Sequence, residues 1–145
     1  MQSTRLDNTF YGVCVEHLSV THEDARRSLV EFGTAAKVTD PAYRGAKIIH
    51  THPPHGDTIS LGAHWEEGGE VIYIVSGMAD ALNVINPATG EKRTFKNIKA
   101  GSRITINEGI AHQLIFSQEA VVVALNEEPF SPTRAHPYPG FDEIG

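Results

Sequence analysis

Two short blocks rich in glycine, histidine and glutamate restrict how this chain can fold. The first block runs from Gly62 to Glu70 and the second from Gly101 to His112, and the polar residues expected to converge are His64, Glu66, Glu70 and His112. His64 and Glu66 are two positions apart, so in an extended strand their side chains point to the same face. Glu70 follows the Gly68-Gly69 turn, after which a returning strand can bring it beside them. Because two histidines and two carboxylates around one cavity are rare in a purely structural core, we expect a small β-barrel with a polar site inside it.

Most of the remaining chain reads as short strands separated by turns. Runs rich in β-branched and aromatic residues alternate with Gly, Pro and Asn, which interrupt strands. Such runs occupy residues 47–50, 58–61, 71–75, 81–85, 103–106, 113–116 and 120–125. Residues 25–36 are ambiguous, because their apolar spacing fits a helix while residues 28–32 also fit a strand. The density of strands predicts an all-β sandwich or barrel.

The length of the chain predicts one domain over residues 1–145, since a chain of this size buries about two-thirds of its unfolded surface. We expect an extended N-terminal segment to about residue 45, a barrel core over residues 46–127 and a tail over residues 128–145. The tail carries several of the prolines and is expected to run in an extended form over the barrel.

The charge and the apolar pattern exclude several classes of partner. The net charge is −6, and without a cluster of Lys or Arg the chain is not expected to bind nucleic acid or an anionic membrane. No apolar run approaches the roughly 20 residues of a membrane span. Cys14 is the one cysteine, so an internal disulfide is excluded and a reducing, cytoplasmic location is expected.

The two blocks resemble the two sequence motifs of the cupin superfamily. The first motif of that superfamily has two histidines separated by one residue, followed by Glu and then Gly. The second motif has Gly, Pro, Gly and His in that order. The matching positions here are His64, Glu70, Gly77, Gly101, Gly109 and His112. Glu66 stands where the second histidine is expected, and Asn107 replaces the usual proline. The resemblance implies an all-β cupin fold, which is a jelly-roll or double-stranded β-helix barrel.

Three segments are similar to the nucleotide-sugar 3,4-ketoisomerases, which act on dTDP-4-keto-6-deoxyglucose. Residues 24–29, Asp-Ala-Arg-Arg-Ser-Leu, resemble their Asp-x-Arg-Gly-Ser-Leu segment. Residues 61–66, Leu-Gly-Ala-His-Trp-Glu, lie where they carry Arg-Gly-x-His-x-His and where the related dTDP-4-dehydrorhamnose 3,5-epimerases carry Arg-Gly-Leu-His-Tyr-Gln. The tail from Phe130 to Phe141 has a similar spacing. The resemblance implies a sugar isomerase or epimerase that acts on a small keto-sugar, forms a homodimer and needs no cofactor.

The reaction of that family is a base-catalysed proton transfer through an enediol, for which one or two imidazoles near neutral pH suffice. The resemblance implies that His64 is the base. Glu66 would orient the imidazole or carry the second proton. Candidates for substrate contact are Arg26, Trp65, Tyr73, His112 and Tyr138.

Three departures from the family pattern bear on the substrate, and one is that no lysine follows Glu66, where the ketoisomerases carry one. Leu61 replaces the arginine that precedes the glycine, which would contact the substrate phosphate. Phe130 stands where relatives carry a tyrosine that acts as an acid in the epimerases. Each change removes a positive charge or a proton donor, which leaves room for a different sugar or for a ligand that is not a nucleotide sugar.

Two other functions stay open. His64, Glu66, Glu70 and His112 offer two imidazoles and two carboxylates, a set that suits one divalent transition metal ion such as Fe(II), Mn(II), Ni(II) or Zn(II). A metal site would point to oxygenase, lyase or metal-assisted isomerase chemistry. Alternatively, the barrel binds a small metabolite without catalysis. The metal content of the purified protein separates the metal site from the metal-free isomerase.

Overall fold

The computed structural model describes residues 5–30, 45–127, 133 and 135–143, and most of its regular structure is β-strand. The elements in these residues are β1 (Arg5–Phe10), β2 (Val13–His17), β3 (His22–Glu23), β4 (Ser28–Leu29), β5 (Gly45–His50), β6 (Ile59–Glu66), β7 (Glu70–Ser76), β8 (Met78–Asn86), β9 (Glu91–Lys99), β10 (Ser102–Ile106), β11 (Ala111–Phe116), β12 (Val121–Asn126), β13 (Ala135–Pro137) and a 3-10 helix (Pro139–Glu143). Within these residues, no helix has the length and apolarity that crossing a membrane requires.

Each strand predicted from the sequence overlaps an observed strand. In the ambiguous segment, Ser28–Leu29 forms the short strand β4, and residues 31–36 lie outside the described part of the chain. The sequence pattern did not predict β1, β2, β3, β9 or β13. Of these, β1, β3 and β9 are rich in polar residues and β13 contains proline.

Eleven of the described strands form two antiparallel sheets that face each other, and β3 pairs with β4 in a separate two-stranded sheet. The larger sheet has six strands in the order β1-β2-β10-β7-β12-β5, and the smaller has five in the order β13-β6-β11-β8-β9. Because consecutive strands such as β6 and β7 lie in different sheets, the turns between them cross the end of the barrel. The N-terminal segment supplies β1 and β2, and the tail supplies β13, so both ends of the chain extend the sheets.

Inward-facing side chains from both sheets fill the middle of the barrel. Along β7, β11 and β12, the residues of the inner face alternate with more exposed ones, as expected for strands that meet a core on one face. The buried apolar residues of these three rows are Ile72, Ile74, Leu114, Phe116, Val122 and Ala124. At one end, each row continues with a buried polar residue: Glu70 in β7, His112 in β11 and Asn126 in β12. The apolar core therefore gives way to a polar end.

Gly77 lies in the tight connection between β7 and β8, where a side chain has no room. Its φ of 81° is in the left-handed region. A Cβ at this position would lie 2.6 Å from the Glu119 carbonyl oxygen and 2.9 Å from Ala120 Cα. Gly90, between β8 and β9, has a similar φ of 78° but no atom within 4 Å of the position a Cβ would take. A comparison of substitutions at the two glycines therefore separates the cost of backbone strain from the cost of steric overlap.

Replacing Gly77 with Ala should lower the free energy of unfolding by about 2–5 kcal/mol, since left-handed strain adds to the overlap of the new methyl group. Gly90→Ala should cost only the strain, about 1–2 kcal/mol. Urea denaturation of the two variants measures the difference. Equal losses would contradict the close packing of Gly77 against the β11–β12 connection.

Candidate functional site

A bulge in β6 determines which side chains enter the barrel. Gly62 and Ala63 have left-handed φ values of 94° and 63°. The pairing with β11 matches His64 to His112 but Gly62 to Gln113, so Ala63 is an extra residue in β6. A Cβ on Gly62 would lie 2.8 Å from the His112 carbonyl oxygen, so the close approach of the two strands requires glycine here. Such a bulge reverses the alternation of side chains between the two faces of a strand.

The reversal turns His64 and Glu66 toward the interior and Trp65 away from it. Before the bulge, Leu61 packs against the main core. Uninterrupted alternation would therefore bring Ala63 and Trp65 inward, but both pack against a separate outer cluster. The other members of that cluster are Ile85, Ala111, Tyr138 and Phe141. The expectation that His64 and Glu66 share a face agrees with this geometry.

Two histidine–glutamate pairs meet at the polar end of the barrel. His64 Nε2 lies 3.0 Å from Glu66 Oε2, and His112 Nε2 lies 3.2 Å from Glu70 Oε1. Glu66 Oε2 is also 3.8 Å from His112 Nε2. The two imidazole rings meet edge to face, with centroids 5.1 Å apart. The structure thus brings together the four polar residues of the two sequence blocks.

His112 is buried and held through both ring nitrogens. Its Nδ1 donates to the Ile110 carbonyl oxygen at 3.0 Å, so Nε2 faces the carboxylates. Burial acts to lower the pKa of His112, but the hydrogen bond and the charge of Glu70, with smaller contributions from Ile110 and Glu66, raise it above its ordinary value. The site therefore favours the imidazolium form of His112.

Glu70 is the buried carboxylate, and donors surround it. Burial acts to raise the pKa of Glu70, but contacts with His112, Asn126 and Lys47 hold it below its ordinary value. Asn126 Nδ2 lies 3.0 Å from Glu70 Oε2, and Lys47 Nζ lies 3.9 Å from the same oxygen. Glu70 and His112 therefore form a charged pair that has hydrogen-bond partners, as a stable buried ion pair requires.

The His64–Glu66 pair is the accessible one. The side chains of His64 and Glu66 are 24% and 18% exposed, whereas those of His112 and Glu70 are each 6% exposed. His64 Nε2 donates its proton to the Glu66 carboxylate, so Nδ1 is the ring nitrogen with a lone pair that can accept a proton. The arrangement places an oriented imidazole where solvent reaches it, backed by a buried charged pair.

Sequence reasoning did not identify Asn126 and Lys47 as parts of the site. The signal for Asn126 was available, because it follows Val122 and Ala124 at a spacing of two on the inner face of β12. Gly109, from the second block, donates its backbone N–H to the Glu66 carbonyl oxygen at 3.2 Å. This contact ties the second block to the strand that carries the first.

Two of the predicted substrate contacts lie on the outer side of β6. The Trp65 ring stacks on the His136 ring, with centroids 4.2 Å apart and an angle of 19° between the planes. Tyr138 donates its backbone N–H to the Ala63 carbonyl oxygen at 3.0 Å, and its ring contacts that of Phe141. Both residues thus hold the C-terminal segment against β6. Their binding of substrate stays a prediction.

Of the remaining three, His112 lies in the site, and Tyr73 and Arg26 lie elsewhere in the structure. Tyr73 is on the outer face of β7, because it is an odd number of positions from the inward-facing Glu70. Arg26 lies in the turn between β3 and β4, where its guanidinium contacts the Asp24 carboxylate at 3.4 Å. Phe130 lies outside the described residues. Substrate binding by Tyr73 and Arg26 likewise stays a prediction.

The cluster fits a divalent transition metal ion. His64, Glu66 and His112 each offer one ligand atom, and these atoms all lie within 4.8 Å of one another. Imidazole and carboxylate ligands suit Fe(II), Mn(II), Ni(II) and Zn(II). The hydrogen bond from His112 Nδ1 to Ile110 is of the kind that orients metal-binding histidines. Glu70, the fourth residue of the ligand set predicted from the sequence, lies beside His112, with Oε1 3.2 Å from His112 Nε2, and its role as a ligand stays a prediction.

No protein-family model and no curated protein matches the sequence, but the fold matches solved structures. The dTDP-4-dehydrorhamnose 3,5-epimerase from Sulfolobus tokodaii has a TM-score of 0.72 at 16% identity, over 91% of this chain and 80% of that one. The 3'-monoepimerase ChmJ from Streptomyces bikiniensis gives 0.77 at 16% identity, over 94% and 74%. The sugar 3,4-ketoisomerase QdtA from Thermoanaerobacterium thermosaccharolyticum gives 0.70 at 16% identity, over 93% and 96%.

The protein has a cupin fold. The all-β jelly-roll barrel predicted from the two motifs is confirmed, and its structural neighbours include members of the two enzyme groups that the sequence resembles. At this identity the likeness shows the fold alone, so the activity of this cupin has to be argued from its site.

Stability should be greatest between about pH 4.5 and 6.5. The contribution of His112, whose folded pKa is raised, is complete below its ordinary value of 6.5 and is lost as the pH rises through the raised value. That of Glu70, whose folded pKa is lowered, is complete above its ordinary value of 4.5 and is lost as the pH falls through the lowered value. Thermal unfolding at a series of pH values measures this profile.

The variant Glu70→Gln tests the cause of the profile. It removes the charge that raises the pKa of His112 but keeps the shape of the side chain, so the decline of stability above pH 6.5 should disappear. Glu16→Gln removes an ion pair with Arg103 on the outer sheet face and should retain the decline. A decline that persists in Glu70→Gln would contradict the charged pair.

Proposed function

We propose that this cupin is an isomerase or epimerase that moves a proton next to the carbonyl of a keto-sugar, with His64 as the base. The observation that carries the proposal is the pairing of a partly exposed imidazole with Glu66 at 3.0 Å, above the buried pair His112–Glu70. A base positioned in this way accelerates proton transfer by about 100-fold to 10,000-fold.

The reaction follows from the roles of the two pairs. His64 takes the proton from the carbon beside the carbonyl and becomes an imidazolium, which the Glu66 carboxylate stabilises at Nε2. The electron pair of the broken C–H bond forms a C=C bond, and the carbonyl electrons move onto oxygen to give an enediolate. In isomerisation, the former carbonyl carbon takes the proton from His64, the hydroxyl group of the deprotonated carbon gives up its proton to become the new carbonyl, and the former carbonyl oxygen takes that proton. In epimerisation, a proton is instead added to the opposite face of the carbon that lost one, and the original carbonyl forms again. His112, charged beside Glu70, adds positive potential near the developing oxyanion.

The structural neighbours support a keto-sugar as the substrate class. QdtA is a 3,4-ketoisomerase whose structure was solved with TDP-4-keto-6-deoxyglucose, and ChmJ is a 3'-monoepimerase solved with dTDP-quinovose. A dTDP-4-keto-6-deoxyhexose is therefore the first substrate to test. The metal-free site, the homodimer and the cytoplasmic location expected from the sequence stay predictions.

A metal-dependent reaction is the second candidate, and the convergence of His64, Glu66 and His112 within 4.8 Å favours it. A bound ion would act as a Lewis acid that polarises the substrate carbonyl. In that case Nε2 of His64 would face the ion, and Nδ1 would carry the ring proton. The tautomer of His64 therefore separates the two candidates.

Proton exchange tests the first candidate directly. Incubation with dTDP-4-keto-6-deoxyglucose in D2O should replace the proton beside the carbonyl with deuterium, which proton NMR follows. His64→Gln should lower this rate by about 100-fold or more. His55→Gln, in the exposed loop before β6, is the matched control and should retain the wild-type rate. A wild-type rate no faster than buffer, or an unchanged rate in His64→Gln, would contradict the proposal.

Metal content distinguishes the second candidate. The protein is purified without chelator, and bound transition metals are measured by mass spectrometry in the wild type and in His112→Ala. The metal-free reaction predicts little metal and an exchange rate that survives treatment with EDTA. Near-stoichiometric metal in the wild type, lost in the variant together with activity, would establish the metal-dependent candidate instead.

A further inference from the structure

We infer that Asn126 is a positioning residue that links the two histidine–glutamate pairs and fixes the orientation of His64; its effect on turnover rests on the function proposed above. Asn126 lies in neither sequence block. Its side chain is the contact that joins the carboxylate of the accessible pair to the carboxylate of the buried pair.

The geometry of this link is a chain of hydrogen bonds. Asn126 Nδ2 donates to Glu70 Oε2 at 3.0 Å and to Glu66 Oε1 at 3.4 Å. The second oxygen of each carboxylate faces an imidazole, since Glu70 Oε1 contacts His112 and Glu66 Oε2 contacts His64. Each carboxylate thus has one oxygen for the amide and one for its histidine. Rotation of either carboxylate breaks both of its contacts.

The orientation of the Asn126 amide is determined by its surroundings. Amide nitrogen and oxygen are usually assigned from the hydrogen-bond network, and here both neighbours are carboxylates, which only accept. The reversed amide would place its oxygen against two anionic groups. The NH2 group therefore faces Glu66 and Glu70, and it supplies a donor to each of them.

Asn126 is itself held firmly and connects the two sheets. It is buried, and it pairs with Glu70 on one side and with Gly45 on the other. Glu70 and Asn126 belong to the larger sheet, whereas Glu66 belongs to the smaller one. The bond from Asn126 to Glu66 therefore crosses the barrel and fixes the carboxylate that orients His64.

An amide suits this position because it donates without carrying charge. An aspartate would add a third carboxylate beside Glu66 and Glu70, and like charges in a low dielectric repel strongly. An alanine would leave two carboxylate oxygens without this donor. In both cases Glu66 Oε1 loses the donor that holds it, so the carboxylate rotates more easily and holds the His64 ring less firmly.

The first test uses EDTA-treated protein without substrate, so it depends on neither a metal ion nor the proposed reaction. Nitrogen-15 NMR of labelled histidine reports which ring nitrogen of His64 carries the proton. In the wild type, Nε2 should carry it, because Nε2 faces Glu66. Asn126→Ala and Asn126→Asp should both give a mixture of tautomers. Because Asp has the shape of Asn, the Asp variant is used for the test if the Ala variant does not fold.

The matched control is Asn83→Ala. Asn83 is buried to the same degree, with 8% exposure for each residue, but its side chain contacts Gln113 and Thr94 on the smaller sheet. Its loss should destabilise the fold without altering the His64 signals. A purely structural role for Asn126 predicts that the two variants behave alike. Wild-type His64 signals in both Asn126 variants would overturn the inference.

The second test uses the exchange assay in D2O with dTDP-4-keto-6-deoxyglucose. Asn126→Ala should lower kcat by an amount on the order of 100-fold, while KM changes little, because misorientation of a reacting group affects the chemical step. In a Glu66→Gln background the same change should have a much smaller effect, since the carboxylate that Asn126 holds is already absent. An undiminished effect in that background would overturn the inference.

The two tests also separate this inference from the proposed function. Altered His64 signals in a protein whose wild type shows no exchange would contradict the proposed reaction but support the positioning role of Asn126. Wild-type exchange that Asn126→Ala leaves unchanged, with unaltered His64 signals, would support the reaction and contradict the role of Asn126.

Discussion

The bulge at Gly62 and Ala63 is the constraint on which the candidate site depends. Before it, Leu61 faces the apolar core; after it, His64 and Glu66 take the inward positions while Trp65 joins the outer cluster. One inserted residue therefore converts the end of an apolar strand face into a row of chemical groups. Bulges often serve this purpose beside functional sites, and here the glycine allows both the left-handed φ and the close approach to β11.

The polar end of the barrel is stable because its two buried ionised side chains, His112 and Glu70, pair with each other. Burying a carboxylate or an imidazolium alone costs several kcal/mol. His112 and Glu70 face each other at 3.2 Å, with Asn126 supporting the carboxylate. The result is a division of roles. The buried pair is a fixed, charged support beneath the site. The partly exposed His64–Glu66 pair is accessible to a ligand.

The sequence predicted much of the fold but only part of the site. Alternating β-branched runs identified the central strands, because burial on one face imposes a period of two. Edge strand β9 is charged along most of its length, as edges are when they avoid pairing with other chains, so its pattern is weak. The bulge at Ala63 depends on pairing with a distant strand, so a local pattern does not contain it. The period of two along β12 places Asn126 on the inner face, but its contacts with Glu66 and Glu70 form only when distant strands pack together.

The most direct test of this account is the nuclear Overhauser effect from the ring protons of His64. With the bulge in place, the His64 ring lies edge to face with His112, at 5.1 Å between centroids, and His64 is not a member of the outer cluster that contains Phe141. The account predicts cross-peaks between the His64 and His112 rings. Cross-peaks from His64 to the Phe141 ring instead would place the imidazole on the outer face and contradict the convergence of the four residues.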